Sequence, residues 1–294
     1  MKIFYHGDKD GQASGAIVYK YYIKENRTTE DYEFIKINYD IPFPFETIEP
    51  NELVIIVDFS LQHKGDFQKL KNITNNIIWI DHHITAIRKH DGIELEGLRR
   101  DGTAGCALTW EYFYPNTKMP IVVALLADYD VWTFKYGDTT NHLQVSLSMY
   151  NASPESTHWD KWLNPEYVAI EEIEKGKNLI AYRNKLYKGF VRNHYFAKIK
   201  GYKAICCNSN VASSQLFDSV NAQYDLMILY CFNGDLYRVS LYSVEDGIDV
   251  SKIAEKYGGG GHVHASGFSC KKLPFKKIRP NIFVRFSSYL KKLF

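Results

Sequence analysis

Leu53-Val54-Ile55-Ile56-Val57-Asp58 and Ile77-Ile78-Trp79-Ile80-Asp81-His82-His83 share one design: a short, unbroken apolar run that stops at an aspartate. Runs of this length, rich in β-branched residues and without polar alternation, mark strands buried on both faces. Lys2-Ile3-Phe4-Tyr5-His6 is a third such run and stops at Gly7-Asp8. Residues 13–24, 63–71 and 103–113 read as helices between and after these strands. Such alternation predicts an α/β fold with a parallel sheet covered on both sides. Residues 120–127 have no decisive period, and the proline that opens them favours a helix.

Further along, residues 165–194 read as one long helix. A second, smaller α/β unit follows, with strands near 203–207, 225–231 and 236–242 and helices near 213–221 and 249–257. The expected organisation is an N-terminal α/β domain over 1–160, a helical linker over 161–196, a smaller α/β domain over 197–275 and a basic amphipathic tail over 276–294. Docking of that tail on its own domain is expected over contact with a membrane surface or a partner. Charge divides at the linker: residues 1–160 carry 15 basic and 23 acidic side chains, and the remainder carries 21 and 11. The formal total of +2 therefore conceals halves of −8 and +10. A near-neutral total argues against a stable partnership with a long nucleic acid held by charge alone.

At 294 residues and 45% hydrophobic, the chain is long and apolar enough for a folded core. Its five cysteines are odd in number and irregular in spacing, with no C-x-x-C pair, so reduced thiols and a cytoplasmic setting are expected. The first residues do not read as a signal peptide, and no run of about 18 apolar residues predicts a membrane span. Homo-oligomerisation stays open.

The polar residues at the strand ends carry the chemistry. His6, Asp8 and Asp10 follow the first strand, Asp58 the second, and Asp81, His82 and His83 the third. Asp128 and Asp130 follow residues 120–127. Each motif alone has an ordinary explanation, such as a turn or a helix cap. Together they deliver acids and histidines to the carboxyl edge of one sheet, where open α/β folds bind ligands. Converging carboxylates repel one another unless cations offset them. Mixed Asp and His ligands without Cys suit Mn²⁺, Zn²⁺ or Fe. A carboxylate bridging two ions suits hydrolysis at phosphorus.

His6-x-Asp8-x-Asp10-Gly11, the isolated Asp58, Asp81-His82-His83 and Ala127-Asp128 resemble the four motifs of the DHH phosphoesterase superfamily. Gly258-Gly259-Gly260-Gly261-His262 resembles the signature of the DHH-associated C-terminal domain of RecJ-like and nanoRNase-like phosphodiesterases. The resemblance implies two divalent ions, foremost Mn²⁺. His6 and Asp8 would hold the first ion; Asp10, His82 and Asp128 would hold the second, and Asp58 would bridge them. Asp130 is the alternative to Asp128, His83 would contact the scissile phosphate, and Asp81 would orient the histidine loop. The glycine run would offer backbone N–H groups of Gly259, Gly260 and Gly261 to substrate, with His262 donating beside them.

One position departs from the family. Ser240-Leu241-Tyr242-Ser243 carries Tyr242 where many members carry a substrate-gripping arginine. Tyr242 would stack on a base, and Arg238, on the same strand face, would replace the charge. Arg100, before the helix at 103–113, is a further candidate for phosphate. The implied activity is hydrolysis of short oligonucleotides, or of linear or cyclic dinucleotides, to 5′-nucleoside monophosphates by a two-metal hydroxide mechanism. The alternatives are a phosphomonoesterase or polyphosphatase acting on 3′-phosphoadenosine 5′-phosphate or polyphosphate, and a non-catalytic nucleotide-binding module.

Overall fold

The computed structural model describes residues 1–26, 31–39, 41–210, 213–244, 247–261 and 263–278. They form two compact units, Met1–Ile180 and Ala181–Phe294.

The first unit is built on four parallel strands: β1 (Lys2–His6), β2 (Glu33–Ile37), β3 (Val54–Val57) and β4 (Ile77–Ile80). Their order across the sheet is β2-β1-β3-β4. Successive side chains point to opposite faces, and both faces are buried. Ile3, Tyr5, Ile55, Val57, Ile78 and Ile80 enter one core, while Phe4, Val54, Ile56, Ile77 and Trp79 enter the other. Two-sided burial is why these strands show no polar alternation.

Around the sheet stand α1 (Lys9–Tyr19), α2 (Asp66–Lys71), α3 (Ile84–Lys89), α4 (Gly105–Phe113), α5 (Ile121–Asp130), α6 (Asp138–Leu147) and α7 (His158–Trp162). Helix α1 continues into one π-helical stretch, Lys20–Glu25, and so extends to the expected end near residue 24. From β1 the chain moves outward to β2, then returns to β3 on the opposite side of β1. The carboxyl ends of β1 and β3 therefore flank a topological switch point, the place where such sheets leave an open crevice.

Helix α8 (Ile170–Phe190) spans the boundary between the units. It is shorter at both ends than the reading of 165–194. Among its described residues the second unit holds seven strands: β5 (Tyr195–Ile199), β6 (Tyr202–Asn208), β7 (Leu226–Phe232), β8 (Tyr237–Ser243), β9 (Gly260–Gly261), β10 (Ala265–Cys270) and β11 (Lys276–Lys277). The sheet order is β11-β5-β6-β7-β8-β10-β9, with β6 and β7 parallel and the other neighbours antiparallel. Helix α9 (Val250–Glu255) covers one face, and Tyr187, Val191, Leu216 and Phe217 cover the other.

The helix expected near 213–221 is a single 3₁₀ turn, Ser214–Phe217. Leu216 and Phe217 fill the core from that turn, so a longer helix is not needed to bury them. Beyond β11, the tail residues 279–294 lie outside the described residues. Among the described residues no helix is long and apolar enough to cross a membrane. The five cysteines are free thiols.

Candidate metal centre

The turn after β1 places three of the predicted residues. His6 ends the strand, Asp8 caps α1 by accepting from the Gly11 N–H at 2.9 Å, and Asp10 lies in the first helical turn. Gly11 lets this turn fold back on the strand: an added Cβ would stand 2.2 Å from the His6 carbonyl oxygen. Asp10 is buried and its carboxylate accepts from Gly105 N–H at 2.7 Å and Cys106 N–H at 2.8 Å, the first residues of α4. An acid is thus fixed by the electropositive end of a helix 95 residues away in sequence. The cap position of that helix is Ala104, and no side chain caps it.

Asp58, at the end of β3, is 1% exposed and holds a left-handed φ of +53°. That conformation costs a non-glycine residue on the order of 1 kcal/mol and recurs at functional sites. Gly105 makes room for it, since a Cβ there would sit 2.6 Å from the Asp58 Cβ. One Asp58 oxygen, Oδ2, lies 3.6 Å from His6 Nδ1; the other, Oδ1, lies 3.2 Å from His82 Nε2. His6 Nδ1 is also 2.8 Å from Asp8 Oδ2, and His82 Nε2 is 3.4 Å from Asp130 Oδ2 and 3.7 Å from Asp10 Oδ2.

The donors fall into overlapping groups whose atoms lie within 4.8 Å of one another: His6, Asp8 and Asp58; Asp10, His82 and Asp130; and Asp58, His82 and His83. His6 Nδ1 and Asp58 Oδ1 are buried and make no well-aligned hydrogen bond, although Asp8 and His82 stand within ion-pair distance of them. Buried polar atoms are seldom left so. Carboxylate and imidazole donors this close together fit divalent metal.

The electrostatics of the cluster suit a cation. Burial, and then the Asp58 charge, push Asp10 up to about 8. Burial and Asp10 likewise push Asp130 up to about 7, against the opposing effect of His82. Burial also raises Asp58. For His6 burial opposes the charge, yet Asp58 and Asp8 outweigh it and raise the group to about 10; Asp58 and Asp10 do the same for His82, to about 9. Acids and histidines that both hold protons tightly form a site short of positive charge, which a metal supplies in exchange for protons.

Asp81 is fully buried and shapes the histidine loop. Its Oδ1 accepts from His82 N–H at 2.8 Å and His83 N–H at 3.2 Å, and stands 2.7 Å from His83 Nδ1. The His83 Nε2 edge is thereby turned away from Asp81.

Asp128 does not join the cluster. Its carboxylate accepts from the Thr133 and Thr140 hydroxyls and from Lys135 N–H at 2.9 Å and Tyr136 N–H at 3.4 Å. Burial raises its pKa, but these donors outweigh it and lower the group to about 2. Helix α5 runs on to Asp130 instead of ending near 127. Residues two apart on a helix point about 200° apart, so only one of this pair can face the donors, and it is Asp130.

Arg100 also stands apart from the cluster, forked onto Glu111 with Nη1 at 3.2 Å and Nη2 at 2.5 Å. Tyr39, which no motif singled out, packs its ring 5.9 Å from His6, 5.8 Å from His83 and 4.8 Å from Phe59. A cavity of about 1010 Å³ is lined by Thr103, Lys118, Asp128, Lys135, Tyr136 and Tyr167 among others, and none of the cluster residues contributes to its lining.

In the second unit, the glycine run does structural work. Gly260 and Gly261 pair with Gly267 and Ser266, and a Cβ on Gly259 would meet the Gly267 carbonyl oxygen at 2.1 Å. Gly260 and Gly261 remain exposed. His262 lies outside the described residues. On β8, Val239 and Leu241 face one core, while Tyr242 is half-buried on the opposite side and Arg238 is exposed.

Acids and histidines gathered at a sheet switch point, short of positive charge, define the metal-centre type of a phosphoesterase. Residues 2–129 match the model of the DHH family, N-terminal domain, and the chain belongs to that family. It is 30% identical over 307 residues to an uncharacterised protein of Acanthamoeba polyphaga mimivirus, covering 94% of this chain and 70% of that one. It is 26% identical over 214 residues to oligoribonuclease NrnB of Bacillus subtilis (strain 168), covering 65% of this chain and 52% of that one. The pGpG-specific phosphodiesterase PggH from Vibrio cholerae shares the fold, with a TM-score of 0.54 at 13% identity over 99% of this chain and 96% of that one.

Proposed function

We propose that the chain is a phosphodiesterase that hydrolyses short oligonucleotides or dinucleotides to 5′-nucleoside monophosphates at a pair of divalent ions, foremost Mn²⁺. The observation that carries this reading is Asp58, whose two oxygens face separate donor groups. His6 and Asp8 would share one ion with Asp58, and Asp10, His82 and Asp130 would share the second. Asp130 thereby takes the role that the family pattern suggested for Asp128. Ions held there would supply Lewis acidity that activates water and offsets charge at phosphorus.

The side chains do the rest. Burial opposes charge on His83, but Asp81 outweighs it and raises its affinity for a proton. With Nδ1 held by Asp81, the Nε2–H is the edge left to donate to a phosphoryl oxygen as charge develops. Asp10, tied to two amides of α4, keeps its oxygens still through the reaction. In the second unit, the exposed Gly260 and Gly261 backbone, Arg238 and Tyr242 are assigned to substrate recognition.

NrnB is an oligoribonuclease and PggH acts on pGpG, as their names state, and both support a short substrate. Purified protein supplied with Mn²⁺ should cleave pApA to AMP, and Asp58→Ala should abolish this while lowering Mn²⁺ affinity by calorimetry. Cleavage by Asp58→Ala in EDTA would refute the mechanism. Faster turnover of 3′-phosphoadenosine 5′-phosphate or polyphosphate than of pApA would replace the diesterase by a monoesterase or polyphosphatase.

A further inference from the structure

The chain has five tryptophans. Trp79, Trp110, Trp159 and Trp162 are at most 2% exposed, whereas Trp132 is 71% exposed. Large aromatic surface is normally buried, so this one calls for a reason. Trp132 also holds a left-handed backbone at φ +55°, and Phe134 repeats this at +46°. Two strained residues within three persist only where the surroundings hold them. Asp128 does so, accepting hydrogen bonds from Thr133, Lys135, Tyr136 and Thr140.

Two aromatic rings neighbour the indole of Trp132. Tyr129 lies 5.9 Å away and tilted, and Phe134 lies 5.2 Å away and edge-on. The loop thus spends hydrogen bonds and backbone strain to keep an indole in water. Trp132 follows Asp130 by two residues, so their Cα atoms are at most about 7.6 Å apart. The backbone that carries the indole therefore starts beside a residue of the donor cluster.

We propose that Trp132 is a stacking platform for a nucleobase of the substrate, the base carried by a ribose on the scissile phosphate. The inference rests on the diesterase reading above and adds a residue that sets which substrates are bound. An indole face stacks on any base, so recognition here is tolerant of base identity and demands only that a base be present.

The test compares wild type, Trp132→Ala and Trp132→Phe with Mn²⁺ on pApA and on the same dinucleotide with one base removed. Acrylamide quenching of tryptophan fluorescence with and without AMP adds a readout independent of turnover. The four buried tryptophans leave Trp132 as the accessible one. We expect Trp132→Ala to raise KM for pApA roughly 5- to 100-fold, the range of one lost stacking contact. Its kcat should move far less, and KM for the abasic compound should not move.

Trp132→Phe should recover most of the loss, and AMP should shield wild-type Trp132 from acrylamide. An unchanged KM for pApA in Trp132→Ala, or quenching indifferent to AMP, would overturn the proposal while leaving the diesterase standing. Wild-type protein that cleaves neither diester would refute the diesterase, and AMP shielding would then still decide whether Trp132 binds a base. Thermal melts of both variants check that the fold is retained.

Discussion

Asp128 and Asp130 show how much two positions on one helix can differ. One is saturated by four donors, three from the following loop and Thr140 from α6, which hold its pKa low; the other faces Asp10 and His82, and burial with Asp10 raises it. Asp130→Asn should cut metal-dependent turnover by at least about 100-fold and weaken Mn²⁺ binding, since it removes a donor from the cluster. Asp128→Asn should instead act on stability, by about 2 kcal/mol in urea denaturation, because an amide cannot accept all four bonds. Equal loss of Mn²⁺ affinity in both variants would show that the pair shares the site. The sequence Asp-Tyr-Asp shows that an acid is present here but not which one is used. That choice depends on where α5 ends, and helix ends are the least legible part of a sequence.

At the scale of elements, the N-terminus of α4 binds distant parts of the site together. It donates to Asp10 through two amides and leaves space for Asp58 through Gly105. Gly105→Ala should push Asp58 out of place, lowering activity by roughly tenfold or more and stability by about 1–3 kcal/mol. Unaltered kinetics in that variant would show that Asp58 can move without harm.

Glu172, in α8, organises another junction. It is fully buried and accepts from Trp162 Nε1 at 3.2 Å and from the Tyr167 hydroxyl, with Lys161 Nζ at 2.5 Å. Burial raises its pKa, but Lys161, Tyr167 and Trp162 outweigh it and lower the group to about 2. A depressed pKa means that the folded state binds fewer protons. Its contribution is therefore present above the ordinary glutamate value of about 4.3 and lost as pH falls toward 2. That contribution is at most about 3 kcal/mol. Stability curves of Glu172→Gln and wild type should converge as pH falls through this window; parallel curves would exclude the role.

For the whole molecule, the charge split remains the broadest feature. An excess of acid over residues 1–160 accompanies the cluster proposed to bind cations, and the basic excess lies in the remainder. A short substrate carries few phosphates, so KM for pApA should change only severalfold between 50 and 200 mM salt, whereas a protein gripping a long strand at six to ten phosphates would lose roughly 10³–10⁵ in affinity. Steady-state kinetics across that salt range test this.

Much of the molecule was legible without coordinates. Ile55, Ile56, Ile78 and Trp79 announce strands buried on both faces, because no polar residue interrupts them, and the acids that follow mark the sheet edge. Five cluster residues, His6, Asp8, Asp10, Asp58 and His82, stand together where strand-end logic places them. What only the tertiary structure decided depends on direction and on pairs far apart in sequence. Asp130 faces the cluster because of helical phase; Asp10 meets α4 across 95 residues; Arg100 is taken by Glu111; Tyr39 reaches the histidines from the end of β2; and Trp132 is left in solvent by a loop that Asp128 holds. Periodicity and strand ends are local properties, set by what each short run must bury. The aim of a side chain is set by everything packed around it.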